Sequence, residues 1–506
     1  MKEALFTREP VSLAPANPPL PLILELGRLL EEWNIAYCHW KSNAAIDRSA
    51  CGDNDLDLLV HRNDVRRFTE LLSHLGFARA YKKGATFAGV ESFYGFDVEA
   101  DRLVHVHAHY QLILGDDRTK NYRLPIEDAY IRSATQADIF RVPSSEFEFV
   151  VFVIRMVLKY CTWDEIFWSA MRRRRAGPSR TERGELEYLR ARADEQGTAS
   201  VLAEYLPYLD SELFADCVDA LTSHASVRRR IKTARRLEVR LQPHARRSRW
   251  VDCMLRIWRR ITLAAVWRIR GVRKNRLAGG GAVVGIMGGD GSGKSTALAA
   301  LGSWLGSEFE VRVVHLGKPR WSATTYGVRA TLKAVSLAAD VLQRWVGVAP
   351  VRRLALLIST YRPLVWLVCT ARDRHLTYRS ARRFAIGGGL VLCDRYPHPR
   401  LTSMEVPLIA GLTAERLENR LVRAMIRLEQ RYHCSIASPE LLVVLRVDPE
   451  IAVKRKSDER PDRVRKRGAE IWDIDWRDAR TDVIDASQPE EAVARELKAL
   501  AWSTLA

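Results

Sequence analysis

Gly288-Gly-Asp-Gly-Ser-Gly-Lys-Ser295 is the stretch on which the reading of this chain turns. It satisfies the spacing G-x-x-x-x-G-K-[ST]. The apolar run Val283–Met287 stands before it and suits a buried central parallel strand. Leu298, Leu301 and Leu305 follow at helical spacing. Strand, glycine loop and helix in that order give the motif its meaning. Glycines let the backbone curl until successive N–H groups point the same way, and the helix N-terminus adds the positive end of its dipole. The Lys294 ammonium then suits β- and γ-phosphates, and the Ser295 hydroxyl suits Mg²⁺. Gly288, Asp290, Gly291, Ser292, Gly293, Lys294, Ser295 and Thr296 are therefore expected to grip a polyphosphate.

Further apolar runs flank this loop. Gly388-Gly-Leu-Val-Leu-Cys-Asp-Arg-Tyr396 reads as a neighbouring strand ending in Asp394 and Arg395. At the carboxyl end of a parallel strand, Asp394 is expected near the metal and Arg395 near a phosphate. Pro439–Glu450 reads as a third strand and turn. The run Lys454–Arg467, dense in Lys and Arg, is a candidate basic flap over the triphosphate. Thr481–Asp485 is the last strand. Ser487 and Glu490 stand at capping-box spacing before a helix carrying Val493, Leu497 and Leu500.

With these residues in place the segment resembles the thymidylate kinase-like family of nucleoside monophosphate kinases. The resemblance rests on Gly289–Thr296, Arg-Asp-Arg-His (372–375), Asp-Arg-Tyr (394–396), the run Pro439–Glu450 and Ile-Asp-Ala-Ser-Gln (484–488). It implies a P-loop kinase over 279–506 that uses ATP and Mg²⁺. It also implies that Asp290 touches the acceptor's sugar, that Arg374 binds the acceptor phosphate, and that Asp394 and Arg395 serve metal and phosphate. Lys294, Arg374, Asp394 and Arg395 are the implied catalytic set, with Ser295 and Asp394 at the metal. Leu316-Gly-Lys-Pro-Arg320, Pro397-His-Pro-Arg400 and an insertion around 321–360 depart from the family pattern. They leave the acceptor open between a phosphate-bearing and a hydroxyl-bearing small molecule.

The first half carries a different signature. In Gly52-Asp-Asn-Asp-Leu-Asp-Leu-Leu-Val60, Asp55 and Asp57 alternate with leucines, so both carboxylates fall on one strand face. Two carboxylates so placed suit a two-metal nucleotidyl-transfer site. The stretch resembles the DNA-polymerase-β-like nucleotidyltransferase superfamily, in particular the branch found beside sugar and polysaccharide genes. Ser42 then stands near that fold's phosphate loop, and Asp55 and Asp57 become metal ligands. The third carboxylate position falls on His107 within His105-Val-His-Ala-His109, with Asp97, Glu99 and Asp101 as alternatives.

Composition sets the outer limits. The chain has 506 residues, 47% of them hydrophobic, enough for several packed domains. Its eight cysteines show no CxxC pairing, which suits a reducing compartment. The N-terminus lacks signal-peptide order, and Arg362 interrupts the longest apolar candidate, so the expected location is cytoplasmic, either soluble or peripheral at the inner membrane face. The net charge of +19 is concentrated. Between Ser226 and Gly279 there are 18 Arg and Lys against only Glu238 and Asp252. Within that band Trp250–Arg270 reads as a basic amphipathic helix suited to an anionic membrane surface. A solvated clasp is the plainer alternative. Nucleic acid is disfavoured because no nucleic-acid fold accompanies the charge.

The expected architecture is α/β and α+β multidomain. It comprises a loose tail (1–20), a nucleotidyltransferase-like mixed sheet (21–135), a helical companion (136–225), a basic helical connector (226–278) and a P-loop parallel sheet with flanking helices (279–506). The expected activity is ATP-dependent phosphoryl transfer of the thymidylate kinase type. The alternatives are action on a sugar or lipid-linked intermediate of cell-surface polysaccharide synthesis, and a non-catalytic ATP-dependent switch at a membrane.

Overall fold

The computed structural model describes residues 18–41, 43–84, 87, 89–172, 177–222, 224–270, 274–346, 349–398, 400, 419–457, 459–476 and 481–506. Ser42 and residues 1–17 of the expected tail lie outside the described residues. The chain is mixed α/β and divides into two compact units, one ending at Arg273 and one spanning Lys274–Leu505.

In the second unit five strands form one sheet in the order Val311–His315, Leu390–Asp394, Val283–Gly288, Leu441–Arg446, Asp482–Asp485. Every pairing in it is parallel. Parallel strands need long crossovers, and helices supply them on both faces. That explains why Val283–Gly288, the middle strand, is buried at every position while the two edge strands are largely exposed. The register sets Ile286 beside both Asp394 and Val443, so the loop after Gly288 leaves the same sheet end as Asp394. Helix Lys294–Glu308 follows, packing Ala297, Leu301 and Leu305 inward.

Two local details shape this unit. The glycine-rich stretch Leu277–Ala282 is held in place: Leu277 N–H donates to Gly388 O, and Gly281 N–H to Ala385 O. A Cβ on Gly281 would lie 1.9 Å from the Gly389 carbonyl oxygen, so this glycine permits close backbone approach. The last helix begins at Glu490, and the Ser487 N–H is taken by the Asp485 carboxylate rather than joining a capping box. The insertion forms the helix Ala323–Val346 and the first part of the long helix Ala349–Ile386.

In the first unit the strands run in the order Tyr37–His39, Leu56–Val60, Arg102–His109, Val90–Asp97, Ala78–Lys82. Only the pairing of Leu56–Val60 with Arg102–His109 is parallel. Its register places Asp57 directly beside His107. Helices Pro21–Glu32 and Val65–His74 add Ile23, Leu26, Leu30, Phe68, Leu71 and Leu72 to the core of this sheet. Leu20, at the end of the expected tail, is buried there as well.

A second core is helical, built round Ser145–Tyr160, whose residues Val150–Ile154 are all buried. Helices Val227–Arg240 and Arg249–Arg270 of the expected connector belong to this first unit. The band differs from a solvated basic face because several of its arginines turn inward. Arg256 meets Asp164, Glu238 and Asp252 at 3.2–3.3 Å, and Arg260 meets Asp116, Asp164 and Glu165 at 2.7–3.2 Å. Arg229 and Arg236 pair with Asp216 at 3.4 and 2.5 Å. Acidic residues far away in sequence thus neutralise part of a charge that looks free when the band is read alone. No described helix is long and apolar enough to cross a membrane.

Candidate functional site

The glycine loop meets the requirements of a phosphate cradle in its backbone. Gly291 and Gly293 adopt φ of +81° and +79°, a region L side chains seldom enter. Gly293 caps the helix that starts at Lys294, so the first N–H groups of that helix open toward the loop. Lys294 is buried, and its Nζ donates to Gly289 O at 2.5 Å, folding the loop around its own ammonium. Burial, helped by nearby Arg395, pulls the Lys294 pKa down to about 8 against the opposing pull of Asp290 and Asp394. The Ser292 hydroxyl is buried with no hydrogen-bond partner, while Ser295 and Thr296 lie exposed at the loop mouth.

Asp290 is gripped by two arginines. Arg467 Nη1 lies 2.6 Å from one carboxylate oxygen and Arg395 Nη2 lies 3.4 Å from the other. Burial would raise its pKa, but the Arg467 hydrogen bond and the surrounding positive charges win and hold it below the usual range. Asp394 ends its strand 3.3 Å from His315 Nε2. Arg395 follows with φ +55°, a strained backbone for a non-glycine residue. Lys294, Asp290, Asp394 and Arg395 are therefore brought together at one end of the sheet. Arg374 comes to the same end on its long helix, but its guanidinium is buried. It donates to Leu316 O at 2.8 Å and lies 3.2 Å from His433 Nε2. Burial and that guanidinium push the His433 pKa down to about 4, leaving a neutral ring to accept.

The basic run Lys454–Arg467 forms parts of two helices, Pro449–Arg455 and Pro461–Trp472. Arg467 reaches Asp290, while Arg455 donates to Ala486 O at 2.7 Å. Arg465 turns back to Glu450 at 2.6 Å. Arg467 and Arg455 lie in the basic run, whose sequence alone does not distinguish their contacts from those of its other cations. His315 and His433 carried no local signal, because their roles depend on strand and helix neighbours remote in sequence.

Beside the loop lies a cavity of about 380 Å³ lined by Gly291, Gly293, Thr296, Arg455, Gln488 and Val493 among others. Its size suits a nucleoside. A wider groove of about 1020 Å³ runs between helices Ala323–Val346 and Ala349–Ile386. Trp321 and Trp366 stand edge to face in it at 5.2 Å, and the Arg329 guanidinium lies 4.4 Å over Trp321. Lys333, Arg362 and Leu332 complete an aromatic, apolar and cationic lining.

The first unit holds a second constellation. Asp57 Oδ1 faces Lys41 Nζ at 2.5 Å, and His107 Nδ1 and His109 Nε2 at 3.2 Å each. Burial would raise the Asp57 pKa, but Lys41 and the two imidazoles hold it well below the carboxylate range. Burial also drops Lys41 to about 8 despite its carboxylate partner, and pushes His109 far down. Asp55 lies apart from this cluster and pairs with His105 at 2.8 Å. The side chains placed to share an ion are therefore Asp57, His107 and His109, whose ligand atoms all lie within 4.8 Å. Two imidazoles and one carboxylate suit a zinc-like ion better than Mg²⁺, and the Lys41 ammonium already neutralises the carboxylate. Asp97 does not join them: its carboxylate accepts the N–H groups of Leu22 and Ala100.

No family model matches this chain, and no curated protein matches it.

Proposed function

We propose that the second unit is an ATP- and Mg²⁺-dependent phosphotransferase of the thymidylate kinase-like type. The observation that carries this reading is the glycine loop at the carboxyl end of a central parallel strand, with Lys294, Asp394, Arg395 and Arg467 around it. Loop and helix N–H groups hold the phosphates. Lys294 leaves the Gly289 carbonyl for the β/γ-phosphates, and Arg395 and Arg467 balance charge on the transferring group. Ser295 and Asp394 offer oxygen ligands that would hold a magnesium ion, which would supply charge neutralisation at the phosphates. The 380 Å³ cavity is suited to the nucleoside of ATP. Positioning and electrostatics account for most of the catalysis in this kind of transfer. A panel of nucleoside monophosphates, sugars and lipid-linked sugars with radiolabelled ATP tests it. Transfer to one acceptor, absent in Lys294→Ala, is the expected result. Turnover that survives this change would contradict it.

A second reading keeps the chemistry and changes the acceptor. The groove at Trp321, Arg329, Lys333 and Trp366 offers apolar surface together with positive charge, which suits an amphipathic anionic molecule such as a lipid-linked sugar phosphate. Trp366→Ala separates the two acceptors, because it raises KM for a lipid-linked substrate and leaves a nucleotide acceptor unaffected. The first unit is read as a nucleotidyltransferase-like domain whose Asp57 is already neutralised by Lys41, and no nucleotidyl transfer is assigned to it.

A further inference from the structure

Two neighbouring helices of the first unit are built inside out. On Trp163–Met171, Asp164 is fully buried, whereas Trp163, Phe167 and Met171 share one outer face, with Phe167 54% and Met171 61% exposed. On Arg249–Arg270, Asp252, Arg256 and Arg260 are buried. Trp250, Met254, Trp258 and Ile261 look outward, the two tryptophans 69% and 62% exposed. The buried charges tie the helices together: Arg256 and Arg260 each lie 3.2 Å from an oxygen of Asp164, and Arg260 lies 2.7 Å from Glu165. Both apolar faces therefore belong to one helix pair. Isolated exposed hydrophobics need no explanation, but three tryptophans, a phenylalanine, two methionines and an isoleucine on paired helices do.

We propose that this face docks on an anionic lipid bilayer, lying at headgroup depth without crossing it. The residue types fit that level, since tryptophan favours the membrane–water interface and apolar side chains reach just below it. The charge fits as well. Arg172 is exposed where the first helix ends, and Arg246 is exposed just before the second. Cations beside an aromatic apolar face match anionic headgroups. A second copy of this chain would bring like charges face to face. A nucleic acid would need cations across the face itself, whereas its centre is apolar and Arg256 and Arg260 behind it are committed to buried carboxylates. The contact residues are thus the outward tryptophans and their neighbours, with Arg172 and Arg246 at the rim, not Arg256 and Arg260. The surface does not depend on the ATP reading of the second unit.

Co-sedimentation of the full chain with vesicles, without nucleotide, tests this surface. The expected result is binding to phosphatidylcholine vesicles containing about 30 mol% phosphatidylglycerol and roughly tenfold weaker binding without the anionic lipid. Combining Phe167→Glu with Trp258→Glu is expected to weaken binding at least about tenfold at unchanged helicity. Phe167→Ser with Met254→Ser serves as a milder pair should the charges disturb folding. Three outcomes would overturn the proposal: no binding to anionic vesicles, equal binding of the folded double variants, or self-association that these variants abolish while vesicles are ignored. Because ATP is absent throughout, failure here and failure of the phosphotransferase reading remain separate results.

Discussion

The two units place the same kinds of side chain at the mouth of a sheet and arrive at opposite electrostatic states. In the second, Lys294 rests on a backbone carbonyl, the carboxylates of Asp290 and Asp394 face arginine and histidine, and a nucleoside-sized cavity adjoins the loop. In the first, Lys41 is committed to Asp57, and two imidazoles close on the same carboxylate oxygen. A lysine on a neutral carbonyl gives up one hydrogen bond to meet a phosphate. A lysine on a buried carboxylate gives up an ion pair. Residue inventory alone does not make a polyphosphate site. What matters is whether the cation is already neutralised by the fold.

The sharpest way to break this comparison is to remove each lysine's role in turn. Lys294→Ala is expected to lower ATP affinity or turnover by about 100-fold or more, while Asp57→Asn leaves ATP affinity untouched in the same titration. Asp57→Asn strikes instead at stability. It leaves Lys41 buried beside a neutral amide, at a cost of about 3 kcal/mol in the first unit, read from denaturant unfolding. If Asp57→Asn weakened ATP binding as strongly as Lys294→Ala, the two clusters would not be independent.

Arg260→Met is the next largest effect. Asp116 and Asp164 would remain buried with one counter-charge fewer, which is expected to cost about 3 kcal/mol in unfolding experiments. Arg465→Met, whose partner Glu450 is solvent-exposed, should leave the midpoint where it was. Equal shifts for both would contradict the inward placement of the band's arginines.

The smallest effect concerns pH. Burial raises the Glu148 pKa to about 7 against the pull of its Asn43 hydrogen bonds. The folded protein therefore holds a proton that the unfolded chain has lost between about pH 4.5 and 7. This contribution to stability is complete below that window and gone above it. Glu148→Gln should accordingly raise the melting temperature at pH 8, corresponding to about 2 kcal/mol, and give no gain at pH 5. A gain of the same size at both pH values would show that Glu148 does not titrate in this window.

The two units also differ in how much of them could be read beforehand. The loop and its strand were legible because glycine spacing, apolar run and helix start lie within about twenty consecutive residues. The parallel sheet followed from uninterrupted apolar runs such as Leu390–Cys393 and Leu441–Leu445. The Asp57 cluster was only half legible. The carboxylates at 55 and 57 were visible, but their separation into two pairs depends on the register of Leu56–Val60 against Arg102–His109, fixed by residues some fifty positions away. Arg374 was read as facing a phosphate and is found on the Leu316 carbonyl, because that part of its long helix lies against Leu316 and His433. The inward turn of Arg256 and Arg260 was hidden for the same reason. A helix with alternating Trp and Arg has two candidate inner faces, and Asp116, Asp164 and Glu238, which decide between them, are distant in sequence.

Isothermal titration of the full chain with ATP in the presence of magnesium tests the central claim most directly. One-site binding with micromolar affinity, lost in Lys294→Ala and retained in Asp57→Asn, is the predicted result. Absence of heat and of any competing signal with purine triphosphates at millimolar concentration would contradict it.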